Sequence, residues 1–173
     1  MIFRAFSILP ALLFCGCTPE STSTADGPTA DVVVYGDASV GVAAAVQAAR
    51  MGKSVILVSQ YGHLGGLTSS GLGYTDIGNR EILGGISREF YHRVYLHYQK
   101  KEAWVQQKKE DFPKHGQGAP AFDDRTELGS VFEPKVAEEI FDQLVEEAGV
   151  RVVEGRLNLE EGAVMEGQRI TAI

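Results

Sequence analysis

The 173-residue sequence predicts an α/β fold in which a parallel sheet is wound together with helices. Three stretches predict it. Residues 31–66 read as strand, glycine turn, helix, strand and second glycine turn. Residues 133–153 read as an amphipathic helix feeding another strand. Residues 156–173 carry strand-like runs between Glu-Gly turns, which predicts a C-terminal β-meander.

The elements follow in chain order. Residues 1–17 read as a targeting segment, with Arg4 as a minimal positive start. Residues 5–14 form an apolar run of signal-peptide length, too short to cross a bilayer as a helix. Phe14-Cys15-Gly16-Cys17 resembles a bacterial lipobox, which marks Cys17 as the candidate lipid-attachment residue. A plain secretory signal cleaved nearby is the alternative. Residues 18–30, TPESTSTADGPTA, read as a Ser/Thr/Pro tether. The expectation is an exported protein, held at a membrane by its N-terminal lipid or released as a periplasmic or extracellular protein. Both cysteines lie in the leader, so the mature chain offers no disulfide, no CxxC pair and no thiolate ligand for an iron–sulfur cluster.

Val32, Val33 and Val34 form a β-branched run, as expected of a strand buried in a parallel sheet. The turn GDASVG follows. Gly36 suits a tight exit from the strand, and Gly41 lets the next helix begin close to the sheet. That helix is predicted over 42–51, thin with Ala and Val, and Gly52 is its stop. Free N–H groups at its start, with the helix dipole, would hold a pyrophosphate. The candidate phosphate-binding residues are therefore Gly36, Ala38, Ser39, Val40 and Gly41. The pattern departs from the dinucleotide fingerprint at two places. Ala38 stands where its second glycine belongs, and Ser59 and Gln60 stand where an acidic residue usually ends the second strand. An ordinary βαβ unit without a nucleotide is the alternative reading of these residues alone.

Residues 62–85 are dense in glycine, which predicts backbone passing close to a flat ligand or, alternatively, a surface loop. A helix is predicted over 86–98, with Ile86, Phe90 and Val94 on one stripe and Tyr91, Tyr95 and Tyr98 on a packing stripe. Residues 100–125 form a polar insertion, read as a lid or exposed loop. Pro134 sits in the first turn of the following helix, where its missing N–H does no harm. Val136, Ile140, Leu144, Ala137, Phe141 and Val145 make its apolar face, and its acidic residues read as solvated. Residues 150–153 are the third parallel strand.

Four stretches carry a family resemblance: DVVVYG-x-x-SVGVAAAVQAARMGKSVILV, HLGGLTSSGLGYTDIGN, ILGGISREFYHRV and FEPKVAEEIF. Together they resemble FAD-dependent oxidoreductases of the glutathione-reductase-like Rossmann superfold, nearest to those grouped with the A subunit of heterodisulfide reductase. The resemblance spans residues 31–173. It implies a Rossmann-type βαβ domain with FAD as cofactor and a glycine-rich flavin loop. It places Ser59 and Gln60 near the ribose. It places His63, Leu64, Gly65 and Gly66 near the ribose and pyrophosphate, and it makes Thr68, Ser69 and Ser70 hydrogen-bonding candidates towards the flavin. Family members usually carry glutamate at the position of Ser59. No catalytic residue is assigned, no metal ligand set is defended among His92, His97 and His115, and the small-molecule substrate is unspecified.

Lys and Arg number 16 against 23 Asp and Glu, a formal net charge of -7, which argues against a nucleic-acid partner. The sequence stops at Ile173 inside a strand pattern, so the expectation is an N-terminal part of a longer, truncated enzyme. Two rivals stand beside it: an NAD-dependent dehydrogenase-type domain, and a catalytically silent surface lipoprotein.

Overall fold

The computed structural model describes residues 27–116, 118–160 and 162–173. The predicted leader, Cys17 and most of the tether lie outside the described residues. Strand β1 spans Val32–Tyr35, helix α1 Ser39–Arg50 and strand β2 Val55–Ser59. Helix α2 spans Gly85–Gln99, and the two-residue strands β3 (Phe122–Asp123) and β4 (Leu128–Gly129) follow. Helix α3 covers Pro134–Glu147, β5 Arg151–Glu154, β6 Val164–Glu166 and β7 Arg169–Ala172.

The main sheet is parallel and ordered β1-β2-β5. Val34 pairs with Leu57, and Leu57 with Val152, so the two valine-rich runs and the strand after α3 form one surface. The sequence reading of a Rossmann-type α/β fold is thus what the chain adopts. The third strand lies beside β2 rather than β1, the order of the first half of a doubly wound sheet.

One face of the sheet is the core. Val55 and Leu57 pack with Val42, Ala45 and Val46 of α1, with Phe90 and Val94 of α2, and with the apolar stripe of α3. All six residues predicted for that stripe are buried. On the opposite face Val33 and Tyr35 stay substantially exposed.

Two elements differ from expectation. Residues 156–160, expected as a strand, form a loop. Asn158 explains it: its side-chain oxygen accepts from Glu160 N at 3.0 Å, and its carbonyl accepts from Gly162 N at 2.8 Å. Those bonds turn the backbone locally and leave it no ladder to join. The meander is therefore one antiparallel hairpin, β6-β7, closed at Gly167. The polar insertion also has an apolar base. Trp104, Phe112 and Phe122 gather on buried Tyr98, with ring centroids 5.1–5.3 Å from it. Lysine-rich spacing hid these three aromatics, which stand far apart in sequence.

Candidate dinucleotide site

The carboxyl ends of β1 and β2 open onto two glycine turns. The chain leaves β1 at Gly36, whose φ is +123°, a value that suits glycine. Gly36 N donates to Val58 O at 3.0 Å, which fixes this exit against β2. Helix α1 begins two residues after Asp37. A Cβ on Gly41 would collide with the Gly36 carbonyl oxygen, so the helix start can fold back on the strand only as glycine. This is the close helix–strand approach that the sequence motif implied.

The second turn meets the first. Ala38 and Gly65 form a parallel bridge, and Gly65 N donates to Asp37 O at 2.7 Å. Gly65 lies under the Phe141 ring of α3, where any side chain would strike the ring. Gly66 passes against Ala38, and residues Gly66–Thr68 make one 3-10 turn. The sequence-predicted residues Gly36, Ala38, Ser39, Val40, Gly41, Gly65, Gly66 and Thr68 are thus brought together by two loops. Leu64 is buried in the core, so its part in any site is through its backbone.

The electrostatics of this cleft come from backbone. Helix α1 has no side-chain cap and no acidic residue in its first turn. Its first N–H groups have no acceptor within the helix. Twelve residues of helix stand behind them, enough for a dipole that favours an anion at this end.

Ser59 and Gln60 lie at the end of β2, but their side chains already have partners. Ser59 is fully buried, donates its hydroxyl to Asp37 Oδ2 at 2.7 Å and accepts from Gly62 N at 2.9 Å. Gln60 N donates to the same Asp37 oxygen at 3.0 Å, while Gln60 Nε2 donates to the Tyr35 hydroxyl at 2.9 Å. Asp37 escaped the sequence reading. The signal was a charge inside the phosphate turn, at a position that the fingerprint leaves open.

His63 is set between two elements. Its Nδ1 lies 2.5 Å from Glu138 Oε1 on α3, and its Nε2 lies 3.2 Å from the hydroxyls of Ser69 and Ser70. The Ser69 hydroxyl donates to Leu64 O at 2.5 Å. His63 therefore ties the second glycine turn to α3. Glu138, read from the sequence as part of a solvated acidic face, is its partner.

Beyond the turns, Arg80 is buried and crosses to the end of the insertion and to β4. Its guanidinium donates to Leu128 O and Ser130 Oγ at 2.7 Å each, and to Pro120 O. Burial pushes its pKa down from the ordinary arginine value. The glycine-rich segment, held there, runs beside Val131 and Phe132: Tyr74 bridges Val131, and a Cβ on Gly73 would strike the Phe132 carbonyl.

A parallel sheet whose first crossover helix starts uncapped at a double glycine turn defines a dinucleotide-binding protein of the Rossmann class. Residues 31–173 match the family model described as FAD dependent oxidoreductase, and the chain belongs to that family. Its cofactor is FAD. The cleft fits the group: the uncapped helix start suits a pyrophosphate, and a Cβ on Gly36 would stand in open space, so the backbone of the first turn is bare there. No curated protein matches the chain. Among solved structures, the 3-ketosteroid-delta4-(5alpha)-dehydrogenase of Rhodococcus jostii RHA1, in complex with 4-androstene-3,17-dione, is similar at 19% identity and a TM-score of 0.40. That likeness covers 78% of this chain and 39% of that one.

Proposed function

We propose that the chain is the FAD-binding part of an exported oxidoreductase, anchored to a membrane through lipid on Cys17. The observation that carries the redox half is the cleft itself: an uncapped twelve-residue helix pinned between Gly36 and the Gly65-Gly66 turn. Bound FAD supplies hydride or electron transfer through its ring system. The chain's own residues do the holding. The N–H groups of Ser39, Val40 and Gly41 receive the pyrophosphate. The Gly65-Gly66 turn, held by His63 and Glu138, closes the cleft from the other side. The segment from Thr68 to Gly73 carries the backbone onward to Val131 and Phe132, and the insertion would border the substrate. The substrate is a small molecule of unspecified class.

The anchoring half rests on Phe14-Cys15-Gly16-Cys17 after an apolar run.

A ligand titration tests the first half. Purified chain is mixed with FAD, FMN or NAD and its unfolding midpoint followed. FAD at about 100 times its Kd should add about 2.7 kcal/mol of stability. FMN, which lacks the adenylate, should add far less. A shift with NAD and none with FAD would overturn the reading, and no shift with any of the three would leave a folded, silent module. For the anchor, labelled palmitate should enter the wild-type chain in cells and not Cys17→Ser. Equal labelling of the two would remove lipidation from Cys17.

A further inference from the structure

We propose that Asp37 is the carboxylate that receives the adenosine ribose hydroxyls, taking the role that an acidic residue at the end of β2 plays in dinucleotide-binding folds. The inference rests on the FAD site proposed above. Its ground is the pair Asp37 and Ser59. The position that ends β2 holds a buried serine, and a carboxylate arrives there from the other strand instead. Asp37 Oδ2 accepts from Ser59 Oγ at 2.7 Å and from Gln60 N at 3.0 Å. The acid is therefore present at the end of β2 without belonging to it.

Three features make Asp37 the acceptor rather than a capping group. Its carboxylate makes no bond to the start of α1, which has no side-chain cap at all. The N–H groups that a pyrophosphate needs stay free. Second, two donors hold the side chain in place, and both bonds fall on Oδ2. A carboxylate accepts at about four sites, so Oδ1 remains for hydroxyl donors, none of which comes from the described residues. Third, the neighbouring side chains are spent. The Ser59 hydroxyl donates to Asp37 and accepts from Gly62, and Gln60 is turned to Tyr35. Asp37 is covalently next to the turn that cradles phosphate, so an acceptor there reaches the sugar attached to that phosphate.

Glu154 is the rival. It ends β5 opposite Ser59, is exposed, and lies one strand further from the β1 turn. Its carboxylate is 3.6 Å from where a Cβ on Gly62 would stand, which puts it beside the β2 exit loop rather than in the β1–α1 turn.

Serine at position 59 is then a complement to Asp37, not a lost acid. A glutamate at position 59 beside Asp37 would set two carboxylates in one pocket. The Ser59→Glu change alone should therefore weaken binding, whereas together with Asp37→Ala it should restore it.

The experiment compares ADP with 2′,3′-dideoxy-ADP on the full chain, by calorimetry or by displacement of bound FAD. Wild type should prefer ADP by about tenfold, the usual worth of a hydrogen bond to a charged acceptor. Asp37→Asn should bring that ratio close to one while dideoxy-ADP binds about as before. Glu154→Gln should leave the ratio unchanged. The Asp37→Ala, Ser59→Glu pair should regain the preference, and it decides the matter if Asp37→Asn does not fold. A preference retained in Asp37→Asn, or abolished by Glu154→Gln, overturns the assignment while the FAD site stands. Failure of wild type to bind either FAD or ADP overturns the site and the assignment together.

Discussion

Gly41 shows how much one hydrogen atom decides at this site. The Cβ of any other residue would meet the Gly36 carbonyl oxygen, which is backbone and cannot rotate away. Gly41→Ala should cost about 1–3 kcal/mol, the usual range for overpacking, and weaken FAD at the same time, because the helix start must retreat from the strand. Urea unfolding with and without FAD reads both. A variant as stable and as tight as wild type would show that the helix yields freely. The role of this glycine was legible, because a fingerprint is a local pattern. Asp37 and Glu138 were not. Their partners, Ser59 and His63, stand 22 and 75 residues away, and periodicity has no access to such distances. Spacing finds the backbone of a phosphate site well. It does not find a carboxylate that one strand supplies to the end of another.

At the scale of elements, the helices were legible because their apolar stripes have a period of 3.6, and α3 buries the stripe its sequence shows. The predicted strand over 156–160 failed because a single Asn took the backbone into a turn. What locks the helices together is an ionic relay that no stripe reveals. Arg50 of α1 grips Glu89 of α2 at 2.5 and 3.0 Å. Arg93 reaches Glu89 at 2.7 Å, and Glu147 of α3 at 2.8 and 2.5 Å. The bonds from Arg50, more than those from Arg93, hold the Glu89 carboxyl down to about 2. Its pKa is thus depressed on folding. The stability it contributes is complete above the unfolded value of 4.5 and disappears as pH falls from there towards about 2. Glu89→Gln should lower stability at pH 7 by about 1 kcal/mol, since the relay is partly solvated. It should also flatten the loss of stability between pH 4.5 and 2. Denaturant titrations at a series of pH values check both. Parallel wild-type and variant curves through the acid range would show that Glu89 is not a source of the acid sensitivity. Arg80 links elements in a different way, by gathering a carbonyl of the insertion, at Pro120, and one of β4, at Leu128. Arg80→Met removes a buried cation and three acceptors' partner at once. It should cost about 1–3 kcal/mol, and it should open the 113–131 segment to protease at the same concentration that leaves wild type uncut.

For the molecule as a whole, the question is whether the insertion is an appendage or part of the fold. The sequence reads residues 100–125 as a lid or an exposed insertion, since they are polar and mixed in charge. The packing argues otherwise. Tyr98 belongs to the main apolar cluster with Val42, Leu57 and Phe141, and Trp104, Phe112 and Phe122 are packed against that cluster. The Tyr98 hydroxyl donates to Glu133 at 3.1 Å and accepts from Glu133 N at 2.9 Å, which ties the same ring to the start of α3. Trp104 Nε1 donates to Tyr98 O at 3.2 Å. Detaching the insertion would uncover Tyr98, which is 1% exposed, together with the rings that cover it. Each aromatic contact of this kind adds about 0.5–1.5 kcal/mol beyond its area, so separate unfolding of the insertion carries a penalty close to that of opening the core. Trp104 is the only tryptophan, and its fluorescence therefore reports on the insertion by itself. The fluorescence transition in urea should coincide with the loss of helical circular dichroism, as one cooperative event. The exposed rim around Val105 is a different matter: it lies outside the aromatic base and should be clipped by protease without shifting that transition. A tryptophan transition at lower urea than the helical one would show two units, with the aromatic base acting as a hinged cover rather than as core.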